Sequence, residues 1–241
     1  AETDDPLRER LTRFWADHFT TIGKNGMTRW AVSAYVEEAI RPHLTGSFAD
    51  LLIAAVTHPM MLLYLDQSNS IGPNSRVAER RAEKKAQDPD SNDATAGGLN
   101  ENLAREVMEL HTLGVGATYS QDDVRQLAEL FAGMMVVLKD EGLTFQTSRG
   151  EPGPETVLGQ SYGGAKPAMA DVIAVLRDLA RLGRLARLRI RLQDRPGALY
   201  NVARIFHEQG VNIIEVYHQR VFTSLPAKGL ITDIECETRD R

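Results

Sequence analysis

The chain has 241 residues, 42% of them apolar, with a net charge of −5 and a pI near 5.7. This is enough for one large domain or two small ones. A surface that tracks phosphates needs a surplus of Lys and Arg, so nucleic acid is excluded as the main partner.

Leu7, Leu11, Phe14, Trp15, His18 and Phe19 fall at helical spacing behind Pro6, and Gly23 ends that segment. A second helix is expected between Thr28 and Ile40, stopped near Pro42. Ser47 caps a third carrying Phe48, Leu51, Leu52, Ala55 and Val56, which breaks at His58-Pro59. Met60 to Leu65 reads as core. Residues 69–98 hold Gly72-Pro73, a charged stretch from Arg76 to Lys85 and an Asp-rich tail; this composition predicts a mobile surface loop with a transient helix at 76–85.

Leu99 to Leu113 reads as a helix with Leu103, Val107 and Leu110 on one face and Gly114 as its stop. Ser120 and Asp123 form a capping box for the next, whose inner positions are Val124, Leu127, Phe131, Met134 and Met135. Residues 143–164 are rich in Gly and Pro and read as irregular, with room for a strand pair. A helix over 168–182 leads to Arg187-Leu-Arg-Ile-Arg-Leu192, whose strict alternation is that of a half-buried strand. A turn at Asp194-Arg-Pro-Gly197, an amphipathic stretch to Gln209 and two further strand-like runs, 211–217 and 229–236, complete the order strand, helix, strand, strand. Cys236 is the single cysteine, which excludes an intrachain disulfide and a thiolate metal cluster. No apolar run reaches the ~20 residues that span a bilayer, and the polar opening Ala-Glu-Thr-Asp-Asp, with no basic and apolar segment behind it, leads to the expectation of no signal peptide. No membrane partner and a cytoplasmic location are therefore expected.

Five motifs in the first two thirds carry a family resemblance. They are Phe14-Trp-Ala-Asp-His-Phe19, the 41–52 segment ending Phe48-Ala-Asp-Leu-Leu52, His58-Pro-Met-Met-Leu-Leu-Tyr-Leu-Asp66, Asn100-Glu-Asn-Leu-Ala-Arg-Glu-Val-Met-Glu-Leu-His-Thr-Leu-Gly114 and Tyr119-Ser-Gln-Asp-Asp-Val124. Over residues 7–165 the chain resembles the bacterial family DUF1800, whose chemistry is not established. The resemblance implies a His-Asp pair and a Lys ahead of Val157-Leu-Gly159; here Gly150, Glu151 and Glu155 stand at those positions. The residues themselves suggest one catalytic candidate. His18 and His58 come from separate helices, Glu106 and Glu109 share a face with Asn102, and His111 lies near the same end. Such groups suit acid–base work or a divalent metal. The competing reading is structural, with Arg105 pairing the glutamates and the histidines bonded inside the core; no spacing here has the force of a metal motif, and no metal is assigned.

Arg187-Leu-Arg-Ile-Arg-Leu-Gln-Asp-Arg-Pro-Gly-Ala-Leu199, followed by Gly210-Val-Asn-Ile-Ile214, resembles the ACT domain, an amino-acid-sensing module, and is most similar to the tail of threonine dehydratases. The resemblance implies a ligand of the isoleucine, valine, serine or threonine class. It would be held by Asp194, Gly197, Ala198, Leu199, Asn212 and Ile213, and the site would lie between one copy's loop and a partner subunit. The backbone agrees: Gly197 permits close approach, and the following helix offers free N–H groups to a carboxylate. The dehydratase core is absent, with no pyridoxal phosphate lysine or Gly-rich tract, so no cofactor is expected.

The expected fold is thus a mostly α helical domain (1–165), a linker helix (166–186) and a small α+β module of partial ferredoxin-like, ACT type (187–241). The expected function is non-catalytic: amino-acid binding with self-association through the sheet. One alternative is a metal-dependent or hydrolase-like enzyme in the helical domain. The other is an artificial or misassembled fusion joined near 166–172, with no native function.

Overall fold

The Asp5 carboxylate accepts the Arg8 N–H at 3.0 Å and Pro6 presets φ at the first helical position. The chain therefore enters α1 (Pro6–His18) already capped. In the computed structural model the described residues are 5–24, 26–88, 98–137, 142–182, 185–193, 196–208, 212–219 and 229–237. The fold is mostly helical, and it divides into two compact units, Ala1–Ala180 and Arg181–Arg241.

In the first unit, α2 (Gly26–Tyr35) runs on through a π-helical turn, Val36–Ile40, to a 3₁₀ turn at Arg41–His43. Ser47 caps α3 (Phe48–Thr57) by accepting the Asp50 N–H at 3.1 Å, and the extended backbone of His58 before Pro59 ends it. His58 in turn caps α4 (Pro59–Tyr64). α5 (Arg76–Gln87) replaces much of the expected loop: Ser75 caps it by accepting the Ala78 N–H, and Ser70, Ile71 and Ser75 are buried ahead of it. The Gly72 N–H donates to the Arg149 carbonyl at 2.8 Å, so distant chain anchors this stretch despite its polar composition. Residues 89–97, the rest of that expected loop, lie outside the described residues.

α6 (Asn102–Glu106) continues as a second π-helical turn, Val107–Thr112. The Ser120–Asp123 capping box opens α7 (Gln121–Phe131). Met134 and Met135, expected on that helix, lie instead in β1 (Met134–Val137), paired antiparallel with β2 (Gly142–Phe145). Between helix and strand, Gly133 faces the Phe145 ring so closely that a β-carbon there would collide with it, so the close approach requires glycine. A second hairpin, β3 (Gly153–Val157) and β4 (Gln160–Gly164), precedes α8 (Met169–Leu182). The core is built on Phe19, Tyr35, Leu52, Met61, Leu103 and Phe131, all at most 1% exposed. Leu7, Leu11 and Phe14 are 67%, 38% and 48% exposed, so the apolar face read for α1 is only partly buried.

The second unit holds β5 (Leu185–Gln193), α9 (Ala198–Glu208), β6 (Asn212–Gln219) and β7 (Gly229–Glu237). β7 is central and antiparallel to both neighbours, in the order β5-β7-β6. α9 packs on β5 and β6, with Leu199, Val202, Ala203 and Phe206 half-buried at helical spacing. Thr232, Ile234 and Cys236 are buried on one face of β7. The Thr232 hydroxyl has no hydrogen-bond partner among the described residues. Replacing it with the near-isosteric, apolar Val should therefore stabilise this unit by about 1 kcal/mol. A urea titration of Thr232→Val checks this; a loss of stability would mean that the hydroxyl is bonded.

Candidate functional site

His18 and His111 do meet. Their ring centroids are 5.8 Å apart, and the Phe19 ring lies 4.6 Å from His18 and 4.9 Å from His111. Trp15 and Phe48 complete this aromatic nest. His18 Nε2 lies 3.4 Å from the His111 carbonyl; a carbonyl only accepts, so the His18 proton is on Nε2. Burial lowers the pKa of His18, with the bond to His111 opposing. His111 is 5% exposed, and burial, then the neighbouring His18, push it down to about 3. Both rings are neutral at pH 7, and His111 Nδ1 is buried without a hydrogen-bond partner among the described residues.

The other candidates stand apart from this pair. His58 Nδ1 accepts the Met60 N–H at 3.1 Å, which leaves its proton on Nε2, 3.2 Å from a Glu38 carboxylate oxygen. It is a helix cap oriented by an acid. Glu109 is engaged by Arg105 at 3.2 Å, and Arg105 also contacts Glu101 and Gln121. The Glu106 pKa is raised by burial and by the Glu109 charge. Among the described residues, no hydrogen bond or ion pair joins Glu106 or Glu109 to the three histidines. Nor do any three His, Cys, Asp or Glu side chains form a group able to hold a metal ion. An open groove of about 520 Å³ lies elsewhere, lined by Asp66, Asn69 and residues 98–102. Asp66 sits there in the left-handed region, φ 57°, paired with Lys24 at 2.8 Å.

Sequence reasoning singled out Glu151 and Glu155 but missed that Glu129 joins them in a second cluster. Glu151 and Glu155 are 6% and 4% exposed, and they share their surroundings with Glu129, 8% exposed. The signal for Glu129 was its place inside Leu127-Ala-Glu-Leu-Phe131, where both flanks of the acid are apolar.

In the second unit, Gly197 has φ +84° and begins α9, its carbonyl accepting the Asn201 N–H at 3.0 Å. Ala198 and Leu199 are half-buried at that helix start, and Asp194 lies outside the described residues. Asn212 and Ile213 open β6, opposite Glu237 and Cys236 of β7, whereas the end of β5 at Gln193 lies opposite Gly229. Eight steps along β7 separate these positions, roughly 26 Å. Among the described residues of one copy, Asn212 and Ile213 therefore stand at the far end of the sheet from the end of β5 that leads to Gly197.

A family model described as "Protein of unknown function (DUF1800)" matches residues 1–219. The chain belongs to the DUF1800 family. The match runs past the expected limit at 165, crosses 166–172, and includes β5, α9 and β6, where the ACT resemblance was read. Neither the curated proteins nor the solved structures gave a match to this chain. Among the described residues, no helix of this DUF1800 protein is long and apolar enough to cross a membrane.

Proposed function

We propose that the second unit of this DUF1800 protein is an amino-acid-binding regulatory module of the ACT type. In this reading the helical unit carries no chemistry of its own. The carrying observation is the split arrangement: β7 lies between β5 and β6, antiparallel to both, with α9 joining the outer pair. Strand, helix, strand, strand with this pairing supports a partial ferredoxin-like sheet in this reading. The left-handed Gly197 at the start of an eleven-residue helix suits a carboxylate, which the free N–H groups there receive.

Because Gly197 and Asn212 stand at opposite ends of the sheet, a complete site requires two copies, one giving the loop and the other the start of β6. Self-association and ligand binding are then one event. β5 is an outer strand among the described residues, and pairing across it would bring two copies together.

Thermal unfolding with isoleucine, valine, serine and threonine tests this, read alongside sedimentation. A ligand at 100 times its dissociation constant adds about 2.7 kcal/mol to the state that binds it. One of the four should raise the melting temperature and shift the protein from monomer to dimer at micromolar concentration. A monomer indifferent to all four would end the proposal.

A further inference from the structure

Three glutamates are buried where the β3–β4 hairpin meets α7, and among the described residues only Glu129 pairs with a cation. Glu129 pairs with Arg125 at 3.1 Å, though Arg125 is itself 56% exposed. Glu151 is held by neutral donors, accepting the Asn74 N–H at 2.9 Å and the Asn74 side-chain amide at 2.5 Å. Glu155 points inward from β3, opposite Tyr162 of β4, and its Oε2 rests against Gly163, where a β-carbon would meet it at 3.0 Å. No Lys or Arg pairs with it among the described residues.

The hairpin is fastened around this point. The Thr156 N–H donates to Gln126 Oε1 at 2.8 Å, and the Leu158 N–H to Asp123 Oδ1 at 2.7 Å, both acceptors on α7. Val157 between them is 1% exposed. We propose that Glu129, Glu151 and Glu155 form a proton-operated clasp, closed on the hairpin while Glu155 is neutral and loosened when it ionises.

The charges facing Glu155 are almost all of its own sign. From α7 come Glu129 with its partner Arg125, and Asp122, which acts on Glu129; Glu151 comes from the preceding loop, and Asp171 from the first turn of α8. Tyr162 across the hairpin donates to Asp178 at 3.0 Å and offers no positive charge. Like carboxylates out of water cannot all ionise near neutrality. Burial, then Glu129 and Glu151, raise Glu155 to about 7 from 4.5. A raised acid stabilises the fold fully below 4.5, and that stabilisation is lost as pH rises through 7.

The test compares wild type with Glu155→Gln, which holds the neutral shape at every pH. Wild-type melting should fall below the variant's as pH rises from 5 to 8, the gap widening by about 5 °C or more. Titration of the histidines is common to both proteins and cancels in the difference. Amide-exchange protection of Thr156 and Leu158, corrected for intrinsic rates, should drop over that range in wild type only. A gap independent of pH overturns the clasp, and so does a widening gap with unchanged protection at those amides. If Glu155→Gln does not fold, Glu129→Gln serves: with one like charge gone the wild-type transition should move to lower pH, and an unmoved transition overturns the proposal.

Discussion

Acidifying the protein from pH 6.5 toward 3 should remove on the order of 4 kcal/mol from the helical unit through His111 alone. The ring is 5% exposed, lies 4.9 Å from Phe19 and faces His18, so its charged form is disfavoured by burial first and by a second imidazole after that. A base whose folded pKa is depressed stabilises the fold fully above its unfolded value. That stabilisation is lost as pH falls through the window between 6.5 and about 3. Glu155 slopes the other way between 4.5 and about 7, so the wild-type curve alone shows only their sum. The clean observable is the difference between wild type and His111→Leu, measured by urea unfolding at pH 7 and pH 4. At pH 7 the variant should be as stable as wild type or more so, because it removes a buried Nδ1 that has no partner among the described residues. At pH 4 it should be the more stable by several kcal/mol. Equal acid slopes in the two proteins would show that His111 is solvated or bonded in the fold.

His111 also shows where the sequence was readable and where it was not. Helix starts were legible because they are local: Pro6 behind Asp5, Ser47, and the Ser120–Asp123 box each announce a cap within four residues. β5 was legible because alternation over 187–192 has one reading. The burial phase after Val107 was not. A 3.6-residue period puts Leu110 inside, yet Leu110 is 53% exposed and His111 is buried. The π-helical turn at Val107–Thr112 spends an extra residue, so the inward position advances by one. The glutamate cluster was illegible for a different reason. Its members stand at 129, 151 and 155, and only the docking of a hairpin on α7 brings them together. The six ligand residues read in the last segment posed the opposite problem. They are near one another in sequence, yet the crossover through α9 carries Asn212 to the far end of the sheet from Gly197.

Phe19→Ala should cost the helical unit about 3–5 kcal/mol at pH 7. Phe19 is fully buried, stacked with Trp15 at 6.0 Å and Phe48 at 6.3 Å, and its carbonyl accepts the Tyr35 hydroxyl at 3.0 Å. Removing the ring opens a void whose wall includes His111, and the backbone bond to Tyr35 does not fill it. If the Phe19 ring is what keeps water from His111, a solvated imidazole regains much of its ordinary pKa, and the variant loses less on acidification than wild type does. The stability gap between the two proteins should therefore narrow from pH 7 to pH 4, although the variant is the weaker at both. Phe19→Leu should show the same narrowing at a smaller cost and carries the measurement if the alanine variant unfolds. A gap that stays constant with pH would mean that Trp15, Phe48 and the backbone desolvate His111 without help from Phe19, and that the nest is held by the fold around it and not by the ring at its centre.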